Sequence, residues 1–151
     1  MNMMVEKQFS VFLVNKPGVL AQVCQALADQ RINIKALTLV DSQEHGVLRL
    51  VVENGRKAGD VLRSLNVPVT ETDVLCVEMT NHPGAMADIC NRLGAKHINI
   101  NYAYCTAGVK GGRAVGVFKV GDLEKARKVL AQRTMPRKVK PQMLRRHTVR
   151  T

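Results

Sequence analysis

At 151 residues the chain is long enough for one generous core or two modest ones. Its 46% apolar and 23% charged residues exclude wholesale disorder, and no run of 18 uninterrupted apolar residues offers a membrane helix. The net charge of +11 is localised: residues 133–151 hold seven basic and no acidic side chains, leaving 16 basic against 12 acidic in the rest.

The opening MNMMVEKQFS lacks the basic-then-apolar pattern of a signal peptide, so a soluble, cytoplasmic protein with no membrane partner is expected. Phe9, Val11 and Leu13 alternate with Ser10 as a first strand, blurred by Phe12. Asn15-Lys16-Pro17-Gly18 then makes a turn, with Pro17 placed as a first helical residue and Leu20, Val23, Cys24 and Leu27 at helical spacing. Ile34 to Val40 and Val47 to Glu53, separated by turn residues, read as a hairpin. Ala58, Val61, Leu62 and Leu65 give a second helix face, and Val69 begins another strand.

The same order then recurs. NKPGVLAQVCQALADQRINI (Asn15 to Ile34) aligns without a gap on NHPGAMADICNRLGAKHINI (Asn81 to Ile100), 66 residues on, with nine of the 20 positions identical. Ile100 to Thr106, Ala114 to Val120 and a helix over Asp122 to Gln132, with Asp122 as N-cap, complete the second copy. The reading is α+β: two ferredoxin-like βαββαβ modules in tandem, antiparallel sheets with helices on one face. The boundaries are 1–73 and 74–133, with a basic tail over 134–151 held available as the second module's last strand. Because Val67 to Asn81 contains no Gly, one strand is expected to run almost directly from the first copy into the second.

The chemistry sits at the two Asn-x-Pro-Gly turns. Each leads into a helix N-terminus, where unpaired N–H groups and the helix dipole welcome a carboxylate. Gly18 and Gly84 leave room for close approach, and the Asn15 and Asn81 amides can both donate and accept. One such turn alone is an ordinary helix start; duplicated, with Ile-Asn-Ile following both times, it points to binding. Asn15-Lys16-Pro17-Gly18-Val19-Leu20 with Arg31-Ile32-Asn33-Ile34, and Asn81-His82-Pro83-Gly84-Ala85-Met86 with His97-Ile98-Asn99-Ile100, resemble the ACT domain family over roughly Gln8 to Gln132. The resemblance implies an amino acid or similar small carboxylate held at module interfaces by the first turn and by residues after helix one on a neighbouring module. It also implies a homodimer that passes occupancy to a regulated enzyme or regulator. Carried over, the ligand residues are Asn15, Lys16, Gly18, Val19, Leu20, Asn33 and Ile34, then Asn81, His82, Gly84, Ala85, Met86, Asn99 and Asn101. Lys16 is replaced by His82 and Leu20 by Met86, so the two sites are not expected to be equivalent.

No nucleophile, metal or phosphate motif is present, so neither an enzyme nor a cofactor is expected. The four cysteines lack Cys-x-x-Cys spacing and are expected to be reduced, those in apolar segments buried. The rival function is nucleic-acid or acidic-partner binding through the tail. An RNA-recognition sheet is disfavoured, because Lys110 to Phe118 lacks stacking aromatics at the needed positions.

Overall fold

The computed structural model describes residues 2–41, 45–106 and 109–132. In chain order these form β1 (Asn2–Val14), α1 (Val19–Asp29), β2 (Ile34–Asp41), β3 (His45–Val52), α2 (Gly55–Ser64) and β4 (Val69–Thr80). They continue as α3 (Ala85–Gly94), β5 (Ile100–Cys105), β6 (Arg113–Val120) and α4 (Leu123–Ala131). The strands make one antiparallel sheet in the order β2-β3-β1-β4-β6-β5.

The two copies share that sheet through its two central strands. β4 is the continuous strand expected from the Gly-free segment; its second half, Leu75–Thr80, also pairs with β6. β1 is divided in the same way. Gln8–Val14 pairs with β3, whereas Asn2–Lys7 lies against Asp73–Glu78 of β4. The first strand therefore begins seven residues before Phe9, and Asn2–Lys7 occupies the fourth-strand place of the second copy. The tail held available for that place lies outside the described residues. A cut at residue 73 falls within β4, leaving β1-α1-β2-β3-α2 with the start of β4 on one side and the rest of β4 with α3-β5-β6-α4 on the other, yet residues 2–7 belong to the second copy's sheet.

Strand alternation puts Met3, Phe9, Val11 and Leu13 on one face of β1, and their neighbours Leu75 and Val77 on the same face of β4. All four helices cover this face. Val23 and Leu27 of α1 and Ala58 and Leu62 of α2 pack against Phe9, Val11, Leu48 and Leu50. Ile89 and Leu93 of α3 and Ala126 and Leu130 of α4 pack against Leu75, Val77 and Phe118, with Met3 at the margin. Asn54 and Asp122 cap α2 and α4 by accepting from the N–H groups of Lys57 at 3.1 Å and Lys125 at 3.0 Å. Arg92 of α3 donates to the carbonyls of Val129 and Leu130 at 3.0 and 3.2 Å and to that of Gln132, placing a cation at the C-terminus of α4.

Among the described residues no helix covers the opposite face, yet that face is not open. The sheet curls until β2 touches β5 and β6, enclosing a third core of Ala36, Val51, Val74, Cys76 and Val117. Gln8 lies in this interior with 0% exposure. Its Nε2 donates to the Tyr102 hydroxyl at 2.7 Å, and the Tyr104 hydroxyl donates to its Oε1 at 2.9 Å. The Arg49 guanidinium sits 4.1 Å from the Tyr102 ring centre. At the corresponding positions of the other copy stand Val74, Ala36, Thr38 and Val117. One diagonal of the inter-module interior thus carries a charge and a hydrogen-bonded polar group, and the other is built of small, uncharged side chains.

The cysteines are unpaired, but only Cys76 is buried; Cys24 and Cys90 are half-buried and Cys105 is exposed. The helix-one cysteines sit at the margin of the apolar stripe rather than in it, since Val23 and Leu27 take the core positions. Burial, aided by a hydrogen bond to Glu6, pushes the Cys76 thiol up to about 12.

Candidate functional site

Each turn leaves the sheet at the end of a central strand and enters a helix. Their bonding is alike. The N–H of Lys16 donates to Val14 and that of His82 to Thr80, both at 2.9 Å. Gln22 donates to the Gly18 carbonyl at 3.0 Å and Asp88 to that of Gly84 at 2.9 Å. Gly18 and Gly84 are the N-caps, with φ of +85° and +90°, so Pro17 and Pro83 stand before the helices rather than opening them. A Cβ on either glycine would meet nothing within 4 Å. The left-handed backbone is reason enough for glycine at both positions, and no neighbour in the chain crowds the space in front of them. Neither cap offers a side-chain acceptor; the Val19 and Ala85 N–H groups donate to the Lys16 and His82 carbonyls at 3.4 and 3.3 Å, which leaves the next N–H groups of each helix to meet an outside anion.

The surroundings of the two turns differ. Beside the first is a cleft of about 270 Å³ lined by Asn15, Lys16, Val19 and Leu20, with Leu13, Val14, Leu39, Asp41 and Gly46 completing it. Its apolar wall is leucine and valine. Its charged groups are Lys16 on the turn and Asp41 at the end of β2. Asp41 escaped the sequence reading because it belongs to a hairpin end that only the fold brings to the turn. Asn15 makes no hydrogen bond to any described residue.

At the second turn the β5–β6 hairpin is in place. The Asn81 N–H donates to the Gly112 carbonyl at 2.7 Å, and the Asn81 carbonyl accepts from the Gly111 N–H at 2.8 Å. The Asn81 side-chain amide reaches the Val109 carbonyl at 3.4 Å. A difference in length underlies this. Ile34 and Ile100 are 66 residues apart, but their strand partners Val52 and Val120 are 68 apart, so the second hairpin is two residues longer. His82 Nδ1 lies 2.8 Å from the Pro83 carbonyl, turned back on its own turn.

The residues after helix one lie elsewhere. Arg31 and His97 have φ near +55° at the helix exits, where Ile32 donates to Leu27 and Ile98 to Leu93 at 3.0 and 3.1 Å. The Asn33 and Asn99 carbonyls accept from Glu53 and Gly121, tying each exit to the end of the adjacent strand. Much of the repeated Ile-Asn-Ile is therefore helix-exit architecture. Asn33 and Ile34 stand a helix length from the first turn, about 16 Å for 11 residues. They line a separate cleft of about 280 Å³ with Asn2, Met4, Glu6, Lys35, Cys76 and Glu78. Asn99 donates to Asn101 at 3.3 Å. Gly18, Val19, Leu20, Gly84, Ala85 and Met86 open their helices, and Leu20 and Met86 also lean on the two helix-covered cores. Within one chain the structure gathers Asn15, Lys16, Val19 and Leu20, and does not bring Asn33 or Ile34 to them.

Among the described residues no group of three or more His, Cys, Asp or Glu side chains is arranged to hold a metal, and no helix is long and apolar enough to cross a membrane. Two ferredoxin-like units fused through common central strands, each with a strand-to-helix turn at the end of one of those strands, define a tandem ferredoxin-like module. The chain belongs to the ACT domain pair family, whose model matches residues 3–142. Protein BT0572 from Bacteroides thetaiotaomicron is 35% identical, with a TM-score of 0.77 over 86% of this chain and 89% of that one. The ligand-free regulatory subunit of aspartate kinase from Thermus thermophilus is alike in fold, at 14% identity and a TM-score of 0.64 over 86% and 95% of the two chains. An aspartokinase from Corynebacterium glutamicum is 33% identical over 102 residues, 57% of this chain. The chain spans about a quarter of that curated relative's length, 24%.

Proposed function

We propose that the protein is a non-enzymatic regulator that binds an amino acid or similar small carboxylate at its ACT modules and passes occupancy to a metabolic enzyme or regulator. The observation that carries this reading is the first-turn cleft. It combines unpaired helix N–H groups and Lys16 for a carboxylate, Asp41 for an ammonium group, and an aliphatic wall. Its volume lies at the small end of ligand pockets, which suits a molecule of amino-acid size. Membership in a family that includes regulatory parts of aspartokinases supports it.

The protein acts in the cytoplasm as a homodimer. Asn33, Ile34, Asn99 and Asn101 contribute when a neighbouring module brings a helix exit to a turn. Ligand bridging two modules shifts the equilibrium toward the arrangement that makes the bridge. The test is thermal unfolding of wild type and of an Asn15→Ala, Asn81→Ala double variant against each of the twenty L-amino acids. At least one amino acid is expected to raise the wild-type Tm and not that of the variant. An absence of any such difference ends the sensor reading. Binding through the basic tail concerns residues outside those described, and no structural observation favours it.

A further inference from the structure

We infer that the second turn takes no amino acid because the chain's own β5–β6 hairpin already sits in the ligand's place, so that each chain carries one ligand, at the first turn. The inference rests on the sensor reading and sharpens it.

An α-amino acid offers an ammonium donor and a carboxylate acceptor on one carbon. A strand-to-helix turn answers such a ligand with a free main-chain carbonyl and a free main-chain N–H. At Asn81 both groups are engaged, the N–H by the Gly112 carbonyl at 2.7 Å and the carbonyl by the Gly111 N–H at 2.8 Å. The Gly111–Gly112 pair thus presents one donor and one acceptor to the same residue, as an amino acid's two charged groups would. Gly111, at φ +80°, and the bond from the Gly112 N–H to the Val109 carbonyl at 2.8 Å fold the hairpin tip into this position. The two extra residues of this hairpin supply the reach.

At Asn15 the corresponding groups bond to no described residue, and the space beside them is the cleft containing Lys16 and Asp41. The substitution of His82 for Lys16 agrees with this. A turn that meets a neutral peptide group has no need of the cation that a carboxylate would call for.

The test has two arms, applied to the full chain. In the first, isothermal titration calorimetry is run with whichever L-amino acid most raises the wild-type Tm. One site per chain is expected. Lys16→Glu, an exposed change that sets a carboxylate beside the ligand's own, should weaken binding at least about tenfold, or ~1.4 kcal/mol, while His82→Glu leaves it within about twofold. Two sites per chain, or equal losses in the two variants, would overturn the inference. The second arm needs no ligand and so remains informative if no amino acid binds. Amide hydrogen exchange should be slow at Asn81 and Gly111 and fast at Asn15 in the free protein. Fast exchange at Asn81 and Gly111 would show that the hairpin does not occupy the turn, and the inference falls whatever the fate of the sensor reading.

Discussion

Replacing Gln8 by valine, the residue its counterpart position 74 already carries, tests how the two modules are held face to face. The substitution removes the bonds to Tyr102 and Tyr104 at 2.7 and 2.9 Å. Each is worth about 1 kcal/mol net, and each stranded hydroxyl adds a desolvation penalty of roughly 1–3 kcal/mol when fully buried. Both tyrosines are only half-buried, so the penalties fall at the low end, and a total loss of about 2–4 kcal/mol is expected. For a chain of this length that corresponds to a Tm drop of roughly 5–12 °C. Urea unfolding followed by circular dichroism measures it. Adding Tyr102→Phe and Tyr104→Phe to Gln8→Val should recover most of the loss, because no polar group is then left without a partner. A Gln8→Val variant within about 0.5 kcal/mol of wild type, or a triple variant no more stable than the single, would refute the argument.

The raised Cys76 thiol gives a signed pH dependence. Above pH 9 the unfolded chain loses this proton while the folded chain keeps it to about 12, so stability should fall as pH rises, by at most ~1.4 kcal/mol per unit. Tyr104, also raised by burial, joins above pH 10, so the difference between wild type and Cys76→Ala over pH 9–10 isolates the thiol. Arg92→Met removes the cation bonded to the last carbonyls of α4 and is expected to cost about 1.5–3 kcal/mol in urea unfolding, with early hydrogen exchange in α4 as its signature. Deleting residues 1–7 strips the strand that pairs with Asp73–Glu78, and calorimetry should then show loss of the single cooperative transition of the full chain. Two independent transitions in the intact chain would contradict the shared-strand architecture.

The repeat was legible because identical turns, helix stripes and exits recur at fixed spacing, and these are local signals. The strand over Asn2–Lys7 was less so. Met3 and Val5 alternate with Asn2 and Glu6, but Lys7 falls on the apolar side, and nothing local tells a first strand that it will complete the last module. Lys7 is accommodated because Asp73 faces it at 2.7 Å across β4. Asp41 and the Gly111–Gly112 plug were missed for a related reason. Each is a hairpin residue whose significance depends on which turn the fold sets beside it. Gly18 and Gly84 stood out in the sequence through the repeated turn, and the structure adds a left-handed backbone at both positions, which no local sequence pattern spells out.

The divided first strand also orders events during synthesis. Its second half can pair as soon as β3 has been made, whereas its first half waits for β4 and is not covered by α4 until the last of the described elements is out. Residues that precede every other described element in the chain are thus among the last to be secured. Contacts spanning such separations in sequence slow folding, and an N-terminal fusion would sit where the closing strand has to dock.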